Sequence, residues 1–199
     1  MRVACLDLEG VLVPEIWLGL AKKTGLTELE ITTRDIPDFD RLMRTRLEIL
    51  DAHGITMRDL REVVGSMEPL PGAAEFITEL RATMQVIILS DTFQEFMPPL
   101  MAKLGYPTLF CNDLLIDEEG RIRDYTLRQR DGKRHAVLAL RSMNLRVYAA
   151  GDSYNDLSMI QEADHGAFFR APASIIEEHP EYPALESYEQ LRDFLTNSD

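Results

Sequence analysis

At 199 residues the chain is long enough for one substantial apolar core, and the usual allowance of about 100 to 200 residues per domain leaves room for one domain with an insertion. A hydrophobic share of 45% beside 28% charged residues is that of a folded globular chain and excludes disorder. The formal net charge of -13 repels polyanions, and neither Lys22-Lys23 nor the group Arg128, Arg130, Lys133 and Arg134 makes a patch that offsets it, so no nucleic acid and no anionic membrane is expected as a partner.

In chain order, Val3 to Leu6 is the first apolar run of strand length. Met1-Arg2 leads straight into it without a cleavable signal region, and no long apolar span follows, so a cytoplasmic location is expected. The run breaks at Asp7-Leu8-Glu9-Gly10, where strand alternation puts both acids on one side. Residues 14–71 carry helical patterning and no convincing strand, far more than the roughly two to six residues of an ordinary connection in an α/β unit. They are predicted to form an inserted helical cap, with helices over Ile16 to Thr24, around Arg41 to His53 ending at Gly54, and around Met57 to Ser66. Its linkers, Val13-Pro14 and Glu68-Pro69-Leu70-Pro71-Gly72, contain prolines that restrict a hinge.

The core is then 1–13 and 72–199. Ala73, Phe76, Ile77 and Leu80 share one helical face after the Pro71-Gly72 breaker, in a helix from about Ala73 to Ala82. Val86 to Leu89 reads as a strand, Phe96 to Leu104 as a helix and Thr108 to Cys111 as a strand. Leu114 to Ile122 reads as a small β-hairpin around Glu118-Glu119-Gly120, continuing through Tyr125 to Leu127. His135 to Met143 (helix), Arg146 to Ala150 and His165 to Phe169 (strands), and Glu186 to Leu195 (helix) complete an α/β chain. This alternation predicts a doubly wound parallel sheet with helices on both faces and right-handed connections.

The acids lie where such a sheet does chemistry. Asp7 and Glu9 follow one apolar strand, and Gly151-Asp152-Ser153-Tyr154-Asn155-Asp156 follows another; ligands of open parallel sheets bind outside the carboxyl ends of the strands, so both loops should face one crevice. An all-oxygen set favours Mg²⁺, whereas zinc would ask for His and Cys at ligand spacing. Cys5 and Cys111 have no CxxC spacing and read as buried thiols, and His53, His135, His165 and His179 share no metal or triad spacing.

On these motifs, in this order along nearly the whole chain, the sequence resembles the haloacid dehalogenase-like phosphohydrolase superfamily. Within it the chain is similar to the phosphoserine phosphatases, including those that also transfer the phosphoryl group to homoserine. The resemblance implies a Mg²⁺-dependent phosphomonoester hydrolase acting on phosphoserine through an aspartyl-phosphate intermediate. It implies that Asp7 attacks phosphorus and ligates Mg²⁺ with Asp152 and the backbone carbonyl of Glu9, while the Glu9 carboxylate exchanges the proton with the leaving oxygen and the incoming water. Glu9 departs from the Asp usual at that position, and its extra methylene is expected to favour transfer to an alcohol as well as to water. Ser90 would donate to a phosphate oxygen, although alone it also suits a helix cap, and Asp91-Thr92 stands where the family has Gly-Gly. Lys133 would be the fixed cation, with Arg130 and Arg134 as competitors for that role. Asp156 would orient Lys133 or a metal-bound water, and Asn155 would touch substrate. In the cap, Glu15 would take the substrate ammonium and Arg46 its carboxylate, with Phe39 on nearly the same helical face. A sugar or nucleotide phosphatase on the same core, and a phospho-accepting receiver domain, are the alternative readings.

Overall fold

A computed structural model of the chain describes residues 1–32, 35–36 and 38–197. Strands β1 (Arg2–Leu6), β2 (Gln85–Phe93), β3 (Thr108–Ile116), β4 (Ile122–Thr126), β5 (Arg146–Gly151), β6 (His165–Phe169) and β7 (Ala184–Leu185) form one sheet in the order β4-β3-β2-β1-β5-β6-β7. Neighbours run parallel except β4, which returns antiparallel to β3. The first strand is thus a central one, and its apolar residues are consumed alternately by the two faces. Ala4 and Leu6 pack with Phe76, Ile77 and Leu80 of α4 (Ala73–Arg81) and with Leu191 and Leu195 of α9 (Tyr188–Asn197). Val3 and Cys5 join Val137 and Leu140 of α6 (Gly132–Ser142), Met159 and Ile160 of α7 (Leu157–Glu162) and Ile175 of α8 (Ala173–Glu178) on the other face. The molecule is a doubly wound, mostly parallel α/β sheet.

Several boundaries differ from the periodicity. Strand β2 runs on through Ser90, Asp91 and Thr92, because a register shift between Leu89 and Phe93 bulges it while keeping it paired with β3. Strand β3 is continuous where the sequence reads as a strand followed by a hairpin: its first half pairs with β2 and its second half with β4. Helix α6 begins at Gly132, after Asp131 in the left-handed region at φ 48, so Lys133 lies inside the first turn rather than ahead of the helix. The pairs and single turns of β7, α7, α8 and α5 (Pro98–Lys103) are too short for hydrophobic periodicity to bound them well.

Between β1 and α4 lie α1 (Ile16–Thr24), a 3₁₀ turn at Thr27–Glu30, α2 (Phe39–Ala52) and α3 (Met57–Ser66). The two chain crossings into this segment are stitched together by Leu70 N–H donating to the Leu12 carbonyl at 2.9 Å. Leu20, Leu29, Met43, Leu50 and Val64 from these elements join the apolar cluster that covers the Ala4 and Leu6 face. The hairpin grips the same helices from the side: Tyr125 Oη donates to Asp40 Oδ1 at 2.7 Å, Met57 N–H donates to the Gly120 carbonyl at 2.9 Å, and Arg123 pairs with Asp51 at 3.1 Å. Among the described residues no helix is long and apolar enough to cross a membrane.

Candidate active site

β1 stops at Leu6, and the Asp7 N–H continues the pairing by donating to the Ala150 carbonyl of β5 at 3.0 Å. That bond sets Asp7 beside the Gly151-Asp152 loop. The chain then folds into a compact turn in which the N–H groups of Leu12 and Val13 both donate to the Leu8 carbonyl, at 2.8 and 3.0 Å. Gly10 occupies this turn at φ +76, and a Cβ there would sit 2.3 Å from Asp152 Oδ2. Only glycine lets the Glu9-Gly10 backbone lie this close to the second acid. Gly151 answers to the same crowding: a Cβ would stand 2.2 Å from the Asp156 carboxyl carbon.

Around that contact the structure gathers Asp7, Asp152 and Asp156, with one carboxylate oxygen from each lying within 4.8 Å of the others. Lys133 bridges two of them, donating to Asp7 Oδ1 at 2.8 Å and to Asp156 Oδ1 at 2.7 Å. The other Asp156 oxygen accepts from the N–H groups of Asp152 and Ser153, at 3.0 and 3.2 Å, so this fully buried acid is a keystone of the loop. Ser153 and Asp156 also form a capping box on the short helical turn Tyr154–Asp156, which is the local reason for the acid's spacing after Gly151. Arg134, a sequence competitor of Lys133, is instead bound to Glu162 at 2.6 Å.

Three carboxylates against one ammonium leave the cluster with an excess of negative charge that a divalent cation would balance. Burial and the charge of Asp156 hold the Asp7 carboxyl well above its usual range, with Lys133 opposing. Burial, followed by the charges of Asp156 and Glu15, pushes Asp152 up to about 7. For Lys133 burial alone would favour the neutral amine, but Asp156 and Asp7 outweigh it and hold the ammonium well above its ordinary value. The donor set is entirely carboxylate oxygen, which fits a hard cation of the Mg²⁺ type and none that prefers thiolate or imidazole. Gly10→Ala should therefore weaken Mg²⁺ binding by about 10- to 100-fold, because the methyl displaces Asp152. Calorimetric titration of Mg²⁺ into wild type and variant checks this, and equal affinities would separate the Gly10 contact from ion binding.

The remaining sequence candidates divide between the rim and a second cluster. Ser90 is buried at the β2 bulge, where its Oγ accepts from Thr92 N–H at 3.2 Å. Asp91 reaches to 4.0 Å from Lys133 Nζ and accepts from Asn155 Nδ2 at 3.2 Å, so an acid and an amide close the rim together. Asn112, which sequence reasoning missed, holds this rim from behind: its Nδ2 donates to the Asp91 carbonyl at 3.1 Å and its Oδ1 accepts from Arg128 N–H at 3.1 Å. Nothing local marks it in the sequence, because Asn112 stands beside Asp113 in a strand of mixed composition, and its burial appears only in the fold.

Glu9, Glu15 and Arg46 form the second cluster. Because β1 has ended, strand alternation no longer aims Glu9; its Oε2 accepts from Ile16 N–H at 2.8 Å, at the start of α1. Burial and the neighbouring Glu15 push Glu9 up to about 8, opposed by the Ile16 N–H and by Arg46. Arg46 is buried on α2, where its Nη2 donates to the Ile31 carbonyl at 2.8 Å, and burial lowers it to about 10 against the pull of Glu9 and Glu15. Phe39 opens α2 and packs edge-on against Tyr125 of the hairpin, ring centroids 6.0 Å apart.

Known proteins match the chain along most of its length. The family model for haloacid dehalogenase-like hydrolases matches residues 15–161. The phosphoserine phosphatase ThrH of Pseudomonas aeruginosa is 55% identical over 199 residues, which is all of this chain and 97% of that protein. A phosphoserine phosphatase of Pseudomonas syringae pv. tomato is 54% identical over 192 residues, 96% of this chain and 81% of that one. Among solved structures, a phosphoserine phosphatase from T. onnurineus superposes with a TM-score of 0.72 at 25% identity, covering 100% of this chain and 96% of its own. With the β1 and β5 acids meeting one buried lysine on a doubly wound sheet, and with these matches along its length, the chain belongs to the haloacid dehalogenase-like hydrolases.

Proposed function

We propose that the protein is a Mg²⁺-dependent phosphoserine phosphatase that works through a phosphorylated Asp7 and also transfers the phosphoryl group to homoserine. The observation that carries this reading is the Lys133 ammonium clamped between Asp7 and Asp156, with Asp152 alongside, at the carboxyl ends of the two central strands. Lys133 leaves the second oxygen of Asp7 uncommitted and fixes the plane of the carboxylate, which is what an in-line nucleophile needs. That the Pseudomonas relatives are phosphoserine phosphatases supports the substrate.

An Asp7 oxygen bonds to phosphorus as the phosphorus–oxygen bond to serine breaks, and Glu9 gives its proton to the departing serine oxygen. Glu9, now ionised, takes a proton from water, whose oxygen displaces Asp7 and releases inorganic phosphate. The hydroxyl of homoserine in place of that water yields phosphohomoserine instead. Lys133 and the Ser90 hydroxyl stabilise the charge on the non-bridging oxygens, with Asn155 and Asp91 at the rim. Mg²⁺, held by Asp7, Asp152 and the Glu9 carbonyl, would neutralise part of the phosphoryl charge. Asp156 keeps Lys133 in place.

In this reading residues 14–71 are a cap over a core of 1–13 and 72–199, and the cap reads the amino acid: Glu15 takes the ammonium and Arg46 the carboxylate. Burial of Arg46 beside two glutamates supports that pairing. A small soluble substrate and the absence of a basic patch favour a cytoplasmic enzyme. The test is phosphate release from phosphoserine, a sugar phosphate, a nucleoside monophosphate and p-nitrophenyl phosphate, with Mg²⁺ or with EDTA, and with or without homoserine. Phosphoserine should lead the panel, EDTA should abolish release, and homoserine should divert product to phosphohomoserine. Equal rates across the panel would overturn the substrate, and activity in EDTA would overturn the metal.

A further inference from the structure

The guanidinium of Arg46 is held from three sides and still has donors to spare. Its carbon lies 4.4 Å from the centroid of the Trp17 ring, and Trp17, on α1, is itself buried. Its Nη2 is tied to the Ile31 carbonyl, just after the 3₁₀ turn. Nη1 meets only the Met43 sulfur, at 4.0 Å, and Nε is buried without a hydrogen-bond partner among the described residues. A guanidinium carries five N–H donors, and leaving a buried charged donor unmatched is costly unless something else matches it. Both nearby carboxylates act on this charge, but neither is hydrogen-bonded to it.

An arginine on a helix is normally free to sweep through many rotamers, and an aromatic face removes most of that freedom without consuming a single N–H. The Trp17 ring holds one face of the guanidinium at 4.4 Å, and the Ile31 carbonyl anchors Nη2 at 2.8 Å. What remains is a rigid, under-satisfied, planar set of donors, the complement of a carboxylate. We propose that Trp17 is a positioning residue for substrate choice: its ring preorganises Arg46, and so sets the preference for phosphomonoesters that carry a carboxylate beside the phosphate. This rests on the assignment of Arg46 to the substrate carboxylate. Trp17 does not touch the reacting atoms and acts through Arg46 alone.

Phosphoserine and phosphoethanolamine differ by that carboxylate, so the pair isolates the effect. Steady-state kinetics of wild type, Trp17→Phe and Trp17→Leu should show KM for phosphoserine rising by about 5- to 30-fold in Trp17→Leu, with kcat moving much less. Trp17→Phe, which keeps an aromatic face, should recover most of the loss. KM for phosphoethanolamine should move less than twofold in either. An equal rise for both substrates would mark Trp17 as merely structural and overturn the proposal, as would an unchanged KM for phosphoserine. A wild-type enzyme without preference for phosphoserine would fail earlier, at the substrate assignment, and that failure is visible before any variant is made. Trp17 is the single tryptophan of the chain, which gives a readout needing no variant at all. Its emission should change saturably with L-serine and not with ethanolamine; an identical response to both would also overturn the proposal.

Discussion

Asp7→Asn is expected to lower kcat for phosphate release by at least about 10³-fold, the scale of removing a covalent nucleophile. The amide is nearly isosteric and keeps an oxygen for the Lys133 ammonium, which in any case retains Asp156 at 2.7 Å. The fold should not suffer. Three neighbouring carboxylates repel one another and face a single ammonium, so removing one negative charge relieves the metal-free protein. Thermal unfolding in EDTA should therefore give a midpoint no lower than that of wild type, beside an almost complete loss of turnover. Ordinary turnover by Asp7→Asn would remove the aspartyl-phosphate from the mechanism, and a sharply lowered midpoint would make Asp7 a structural acid.

Lys133→Met should do the opposite to stability while also abolishing activity. Methionine approximates the length of the lysine stem, but Asp7 and Asp156 are left in a buried position with no cation between them. Removing one partner of a buried ionic cluster costs about 3 to 5 kcal/mol. At about 2 to 4 °C per kcal/mol for a chain of this size, the midpoint should fall by roughly 6 to 20 °C. The loss of the fixed positive charge should lower kcat by about 10²- to 10³-fold even at temperatures where the variant is folded. Differential scanning calorimetry and initial rates at low temperature separate the two effects. An unchanged midpoint would mean that the carboxylates are satisfied without the lysine.

Asp7, Asp152 and Asp156 were legible in the sequence because each sits at or near the end of an apolar strand, and a parallel sheet delivers all such ends to one edge. Lys133 was less so, since a lone lysine has no local signature; its value arises only when α6 carries it across to Asp7, 126 residues away in sequence. Glu9 shows where the local rule stops: alternation holds within a strand, but β1 ends at Leu6, and the turn from Leu8 to Val13 decides where the next acid goes. Asn112 and Trp17 were invisible for a related reason. An amide in a strand or an indole on an amphipathic helix is ordinary composition, and each acquires a role only through a partner far along the chain, Asp91 and Arg128 for the one and Arg46 for the other. The helical segment was legible as helices, but its grip on the hairpin through Tyr125, Arg123 and Gly120 was not, because those contacts join surfaces that have no shared periodicity.

The order of strands also governs when the molecule can come into being. β1 is a central strand, and its two neighbours, β2 and β5, begin only at Gln85 and Arg146. Early in synthesis this ribbon has both hydrogen-bonding edges open, and the loops that must close on it are long, which slows folding and prolongs exposure. A polypeptide that ends before Gly151 carries Asp7 but lacks the loop that sets Asp152 and Asp156 beside it and gives Lys133 its second carboxylate, so the cluster exists only once β5 and its loop have been made.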